Sequence, residues 1–151
     1  MRKLIRLWPL LLLSACGWFR GAAAPPADPD VPLPISALPA ARVLTDGSLP
    51  LWLDVDAGTD GALQLKESDE SSGQIELRMV RRDEQMTMLA IRSRAAQRIK
   101  LALYLSPDGE QYVYTSSCPI APGIVSYESW PHSVAWIAVA SVAADSDGAC
   151  R

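Results

Sequence analysis

Three stretches of this chain alternate apolar and polar residues with a period of two. Leu51, Leu53 and Val55 alternate with Trp52, Asp54 and Asp56. Ile75, Leu77 and Met79 alternate with Glu76 and Arg78. Ile99, Leu101, Leu103 and Leu105 alternate with Lys100, Ala102 and Tyr104. Successive side chains of a strand point to opposite faces, so each stretch is expected to bury one face and wet the other. Further strands are expected around Leu63 and Leu65, over 86–91, over 112–115 and over 134–142. The 86–91 stretch alternates less cleanly and reads as covered on both faces. In 134–142 the alanines permit a helix, but Val134, Ile137, Val139 and Val142 are β-branched and favour a central strand. Turn chemistry separates the strands at 57–61 and 82–84. Ser106-Pro107-Asp108-Gly109 fits a type I turn, with Pro second and Gly fourth. The sum is an all-β domain over 41–151, an antiparallel β-sandwich (immunoglobulin-like) or a small barrel. With one Phe in the chain, Leu, Val, Ile, Trp and Ala must supply its core.

The start of the chain follows a different grammar. Arg2, Lys3 and Arg6 precede an apolar run through Leu13 that is shorter than the roughly 20 residues a bilayer span needs. Leu13-Ser14-Ala15-Cys16 closes it. This resembles the lipobox of bacterial lipoproteins. The resemblance implies a signal peptide at 1–15, cleavage before Cys16, and acylation of Cys16 as a membrane anchor. Gly17 stands where an Asp in that family often signals inner-membrane retention, so the resemblance implies an outer-membrane lipoprotein facing the periplasm. Residues 16–40 then form a tether rich in Pro and Ala, favouring extended, polyproline-like structure. Alternatively, Val31, Leu33, Ile35 and Leu38 dock on the domain as an edge segment.

Removing the signal removes three of the 14 basic residues and no acidic one, leaving eleven against 17, a net of −6. That balance argues against nucleic acid as a partner, which selects a basic face and a high pI. With Cys16 lipidated, Cys118 and Cys150 remain, and in an oxidising compartment the pair reads as a disulfide. The competing reading makes Cys118 a nucleophile served by His132, the one histidine.

Candidate chemistry is sparse. Asp54, Asp56, Asp60-Gly61 and Glu67 resemble a calcium loop in composition but miss the EF-hand spacing, and a strand end with an acidic turn accounts for them. A zinc site has little support, because catalytic zinc usually takes three protein ligands, and no metal and no cofactor are expected. Residues 78–100 are basic, and Arg78, Arg92 and Lys100 are expected to line one sheet face. Such a face suits an acidic protein or anionic headgroups, or serves only as a solvated surface. The segment Ser126-Tyr127-Glu128-Ser129-Trp130-Pro131-His132 reads as a loop. Tyr127 and Trp130 are expected in a surface aromatic patch, with His132 beside them, and Trp136 in the core. A hydrolase would set His132 against Ser116, Ser117 or Ser129, without a Gly-x-Ser-x-Gly elbow to support it. The chain therefore reads as a non-catalytic, lipid-anchored module that binds an envelope protein, of accessory or immunity type, with a periplasmic hydrolase as the alternative.

Overall fold

The computed structural model describes residues 28–38, 41–59, 61–146 and 148–150, with Arg81 and Arg82 described by backbone alone. The lipobox, Cys16 and most of the tether lie outside these residues. The described chain forms two antiparallel sheets packed face to face, so the sandwich form of the expectation is the one observed. The first sheet has the order β1 (Leu33–Pro34), β8 (Gln111–Ser116), β7 (Ile99–Ser106), β10 (Trp136–Ala144), β2 (Arg42–Thr45). The second has the order β4 (Leu63–Glu67), β3 (Leu51–Ala57), β5 (Ile75–Arg82), β6 (Thr87–Ser93), β9 (Val125–Trp130). No helix among the described residues is long and apolar enough to cross a membrane.

The alternating stretches turn their apolar sides into one core. Leu53, Ile75, Leu77, Leu89 and Ile91 from the second sheet meet Leu44, Ile99, Leu101, Leu103, Ile137 and Val139 from the first. Strand β6 departs from its expectation. Thr87, Leu89, Ile91 and Ser93 are buried while Arg92 is exposed, so it has one wet face. Buried Thr87 and Ser93 interrupt its apolar pattern. Thr87 donates its hydroxyl to the His132 carbonyl at 3.0 Å and accepts the Val134 amide at 2.7 Å.

The long apolar run does become a central strand. β10 pairs with β7 on one side and β2 on the other. Its two parities serve different clusters. Ile137 and Val139 face the main core, whereas Ala138 faces outward and joins Leu38, Tyr104 and Tyr112 in a second cluster. Trp136 shares the parity of Ala138. It is 37 % exposed and covers Gly109, where an added Cβ would lie 3.0 Å from the indole. The expectation of a core Trp136 is thus corrected. An apolar run on both faces does not say which parity meets the opposite sheet.

The docking alternative holds for part of the tether. Leu33 and Pro34 pair with Tyr112 and Gln111, and Leu38 is buried against the outer side of the first sheet. Val31 and Ile35 remain exposed. Burial raises the Tyr104 and Tyr112 hydroxyl pKa values, with smaller contributions from Tyr114 and Asp108 respectively. The β7–β8 turn is built on side chains. Gly109 N–H donates to the Ser106 hydroxyl, and the Asp108 carboxylate accepts the Glu110 and Gln111 amides. Cys118 and Cys150 form a disulfide with their Cα atoms 4.6 Å apart. It pins the chain end to the corner after β8, where Ile120 bridges to Ile99.

Candidate functional site

Sheet geometry assembles a site on the outer face of the second sheet. In the ladder from β3 through β5 and β6 to β9, Trp52 lies opposite Glu76, Glu76 opposite Arg92, and Arg92 opposite Val125. In the next row Arg78 lies opposite Ala90, and Ala90 opposite Tyr127. Residues directly opposite each other on one face sit about 5 Å apart at Cβ, so these rows form a contiguous patch. Small Ala90 at its middle leaves a shallow depression of about 380 Å³, with Trp52, Glu70, Arg78, Arg92, Arg94 and Tyr127 among its walls.

The charges in the patch are partly compensated. Glu76, with its side chain only 13 % exposed, accepts from Arg78 at 3.1 Å and lies 3.8 Å from Arg92. Both arginine side chains stay more than half exposed. Arg94 places its guanidinium 5.4 Å from the centre of the Trp52 ring, within cation–π range. Trp52 in turn packs on Gly73, where an added Cβ would meet the indole at 2.9 Å. Three arginines against Glu70 and Glu76 leave the patch one positive charge in excess on a chain of net charge −3. Planar guanidiniums beside aromatic rings form a surface for carboxylates and flat apolar groups.

The expected residues divide. Arg78, Arg92 and Tyr127 come together, and Tyr127 is 63 % exposed. Lys100 does not join them. It lies on β7 with outward parity, on the exterior of the opposite sheet, because alternation sets the face of a strand but not its sheet. Trp130 also separates from Tyr127. The expected loop is strand β9, whose parity sends Tyr127 outward and Trp130 against the core. His132 follows β9, exposed, and its backbone carbonyl accepts the Thr87 hydroxyl. Among the described residues its imidazole has no serine or carboxylate partner. Ser117 is buried, with its hydroxyl accepting the Leu101 amide. Cys118 is committed to the disulfide.

The acidic segment is also accounted for locally. Asp54 lies across from Lys66, and Glu67 is 3.2 Å from Arg42. Asp60 lies outside the described residues, and among those described no three metal-binding groups converge. Trp52 and Arg94 are the contributors that the sequence reading missed. A signal existed: Trp52 occupies the polar parity of its strand, beside Asp54. No family model matches this chain, and neither does any curated protein or solved structure.

Proposed function

We propose that this protein is a lipid-anchored envelope lipoprotein that binds a protein partner through the outer face of its second sheet. Cys16 carries the lipid, and the spacer before Leu33 holds the sandwich off the outer membrane on its periplasmic side. The observation that carries the reading is the juxtaposition of Arg78, Arg92 and Arg94 with Trp52 and Tyr127 around one depression. Aromatic and arginine side chains dominate the energetic centres of interfaces. The module acts by docking, as an accessory or inhibitory component.

The test uses the full chain in a bacterial cell with a photo-cross-linking residue at position 127. A specific protein adduct is expected, together with its loss when Arg78→Glu and Arg92→Glu are combined. An adduct that survives this double reversal overturns the proposed surface. Labelling with a palmitate analogue should mark the wild type and fail in Cys16→Ser, which should also leave the membrane fraction; labelling of that variant overturns the anchor.

A further inference from the structure

Among the described residues the sandwich has four strand edges, and three of them are blunted. Edge strand β1 is two residues long and contains Pro34. β2 is four residues long, and its Arg42 is turned to Glu67 of the other sheet. β4 carries Gln64, Lys66 and Glu67. Shortness, proline and charge are the devices by which edges avoid unwanted pairing. β9 is neither short nor broken by proline, and its outward-facing positions carry no charge. It runs six residues, Val125 to Trp130, with no proline and no basic residue. Its single charge, Glu128, is turned inward, where the carboxylate accepts the Cys118 amide at 2.7 Å.

The register fixes which backbone groups the β9 edge presents. Ser93 donates to the Ile124 carbonyl, which makes that pair a hydrogen-bonded one. Bonded pairs recur at every second residue of an antiparallel ladder. Ser126, Glu128 and Trp130 therefore bond to β6, while Val125, Tyr127 and Ser129 aim N–H and C=O away from it. No hydrogen bond to these outward groups exists among the described residues. The same three residues place their side chains on the outer face, Val125 opposite Arg92, Tyr127 opposite Ala90 with Arg78 beyond it, and Ser129 opposite Met88.

We infer that β9 is a docking edge for an extended acidic segment of the protein partner, which joins the second sheet as a sixth strand. The inference rests on the protein-binding reading above and assigns its mode. Main-chain bonds to Val125, Tyr127 and Ser129 would supply affinity, and alternate side chains of the incoming strand would fall on the outer face. There they meet Tyr127 and a row containing Arg92, with Arg78 one strand further in. Carboxylates at those positions match the uncompensated positive charge, and lysines oppose it.

The test uses the full-length lipidated chain in detergent micelles and two probes: an eight-residue peptide alternating valine with glutamate, and its counterpart with lysine. Amide exchange followed by NMR should show the Val125, Tyr127 and Ser129 amides gaining protection with the glutamate peptide. That peptide should bind about tenfold or more tightly than the lysine one, a difference of about 1.4 kcal/mol. Ser129→Pro removes an outward N–H without taking a bond from β6, and should abolish binding while the spectrum of the remaining core is kept. N-methylation of alternate peptide amides should do the same and leaves the protein untouched. Protection confined to the depression with Ser129→Pro neutral, equal binding of both peptides, or no protection at β9 with either overturns the strand-addition mode. So does β9-mediated dimerisation of the chain alone. In cells, an adduct from position 127 that is lost with the arginine reversals but survives Ser129→Pro retains the docking face and rejects the added strand. Absence of any protein adduct rejects both.

Discussion

The two outer faces of the sandwich are put to different uses. On the first sheet, outward-facing Tyr104, Tyr112 and Ala138 are buried by Leu38, with Leu33 packed beside them. On the second, outward-facing Trp52, Arg78, Arg92 and Tyr127 surround an open depression. Both faces begin from the same alternation, in which every second residue leaves the core. The first carries tyrosine and alanine at those positions and is covered by the chain's own N-terminal segment. The second carries arginines that stay more than half exposed at Arg78 and Arg92, and no segment among those described lies over it. The contrast teaches that the outward parity of a strand is a second layer of information. Composition at that parity decides whether the fold covers the face itself or leaves it open.

The largest expected effect breaks the connection between the two sheets near β9. The Cys118–Cys150 disulfide fixes the corner whose Cys118 amide binds Glu128 on the second sheet, while that corner continues from β8 of the first. Cys150→Ser should lower unfolding stability by about 2–5 kcal/mol, since it frees a closed loop of 32 residues' separation. Urea denaturation measures the loss, and amide exchange at Cys118 should rise with it. Stability unchanged to within a few tenths of a kcal/mol would show that the corner is held without the bond.

The next prediction sharpens the comparison of the faces. Leu38→Ala should destabilise the domain by about 2 kcal/mol, because it opens the second apolar cluster. Arg78→Ala on the other face should stay within about 0.5 kcal/mol, since its ion pair with Glu76 is more than half exposed on the arginine side. Thermal and urea melts of the two variants side by side provide the check. Comparable losses would remove the distinction between a covered face and an available one.

This distinction also marks where the sequence stops being legible. Strands β3, β5 and β7 announce themselves because their inward residues are uniformly apolar. β9 does not, because its inward side carries Ser126 and Glu128 while Tyr127 points out. The hydrophobic period is inverted there, and the one apolar inward residue, Trp130, is followed by Pro131, which reads as loop chemistry. β2 escapes detection because it is four residues long with only Leu44 fully buried. The candidate site was half visible. Strand alternation points to Arg78 and Arg92 but groups Lys100 with them, an aromatic flanked by Pro and Ser points to Tyr127, and neither signal brings in Trp52 or Arg94. Grouping them correctly needs the strand order, and here β6 and β7 are neighbours in sequence yet belong to different sheets. Partition between sheets is a long-range property that no local period encodes.

The smallest expected effect separates the loops that cap the two faces. On the first sheet, the Asp108 carboxylate accepts the Glu110 and Gln111 amides and the Ser106 hydroxyl, which hold its pKa below the usual carboxylate value. On the second, Ser71 and Ser72 do the same for Asp69 through their hydroxyls and amides. A carboxyl whose folded pKa is depressed contributes stability that is fully present above its unfolded value, about 3.9. That contribution is lost as pH falls through the folded value. Asp108→Asn removes the titration and keeps an acceptor oxygen. The variant should therefore be slightly less stable than wild type at neutral pH, with the gap closing as the pH is lowered below about 3.9. The same should hold for Asp69→Asn. Both groups are fully solvent-exposed, so solvent screening keeps each effect small. The faces then differ in what the loops hold up. The Asp108 turn carries Gly109 beneath Trp136, so its loss should also change the near-ultraviolet signal of that indole. The Asp69 loop leads into Gly73 beneath Trp52, in the face proposed for docking, so its loss should reduce binding at the depression more than it reduces stability. Urea midpoints from neutral to acid pH, read with tryptophan fluorescence, measure the stability arm; a gap constant with pH at Asp108 would show that its hydrogen bonds do not depend on the ionised form.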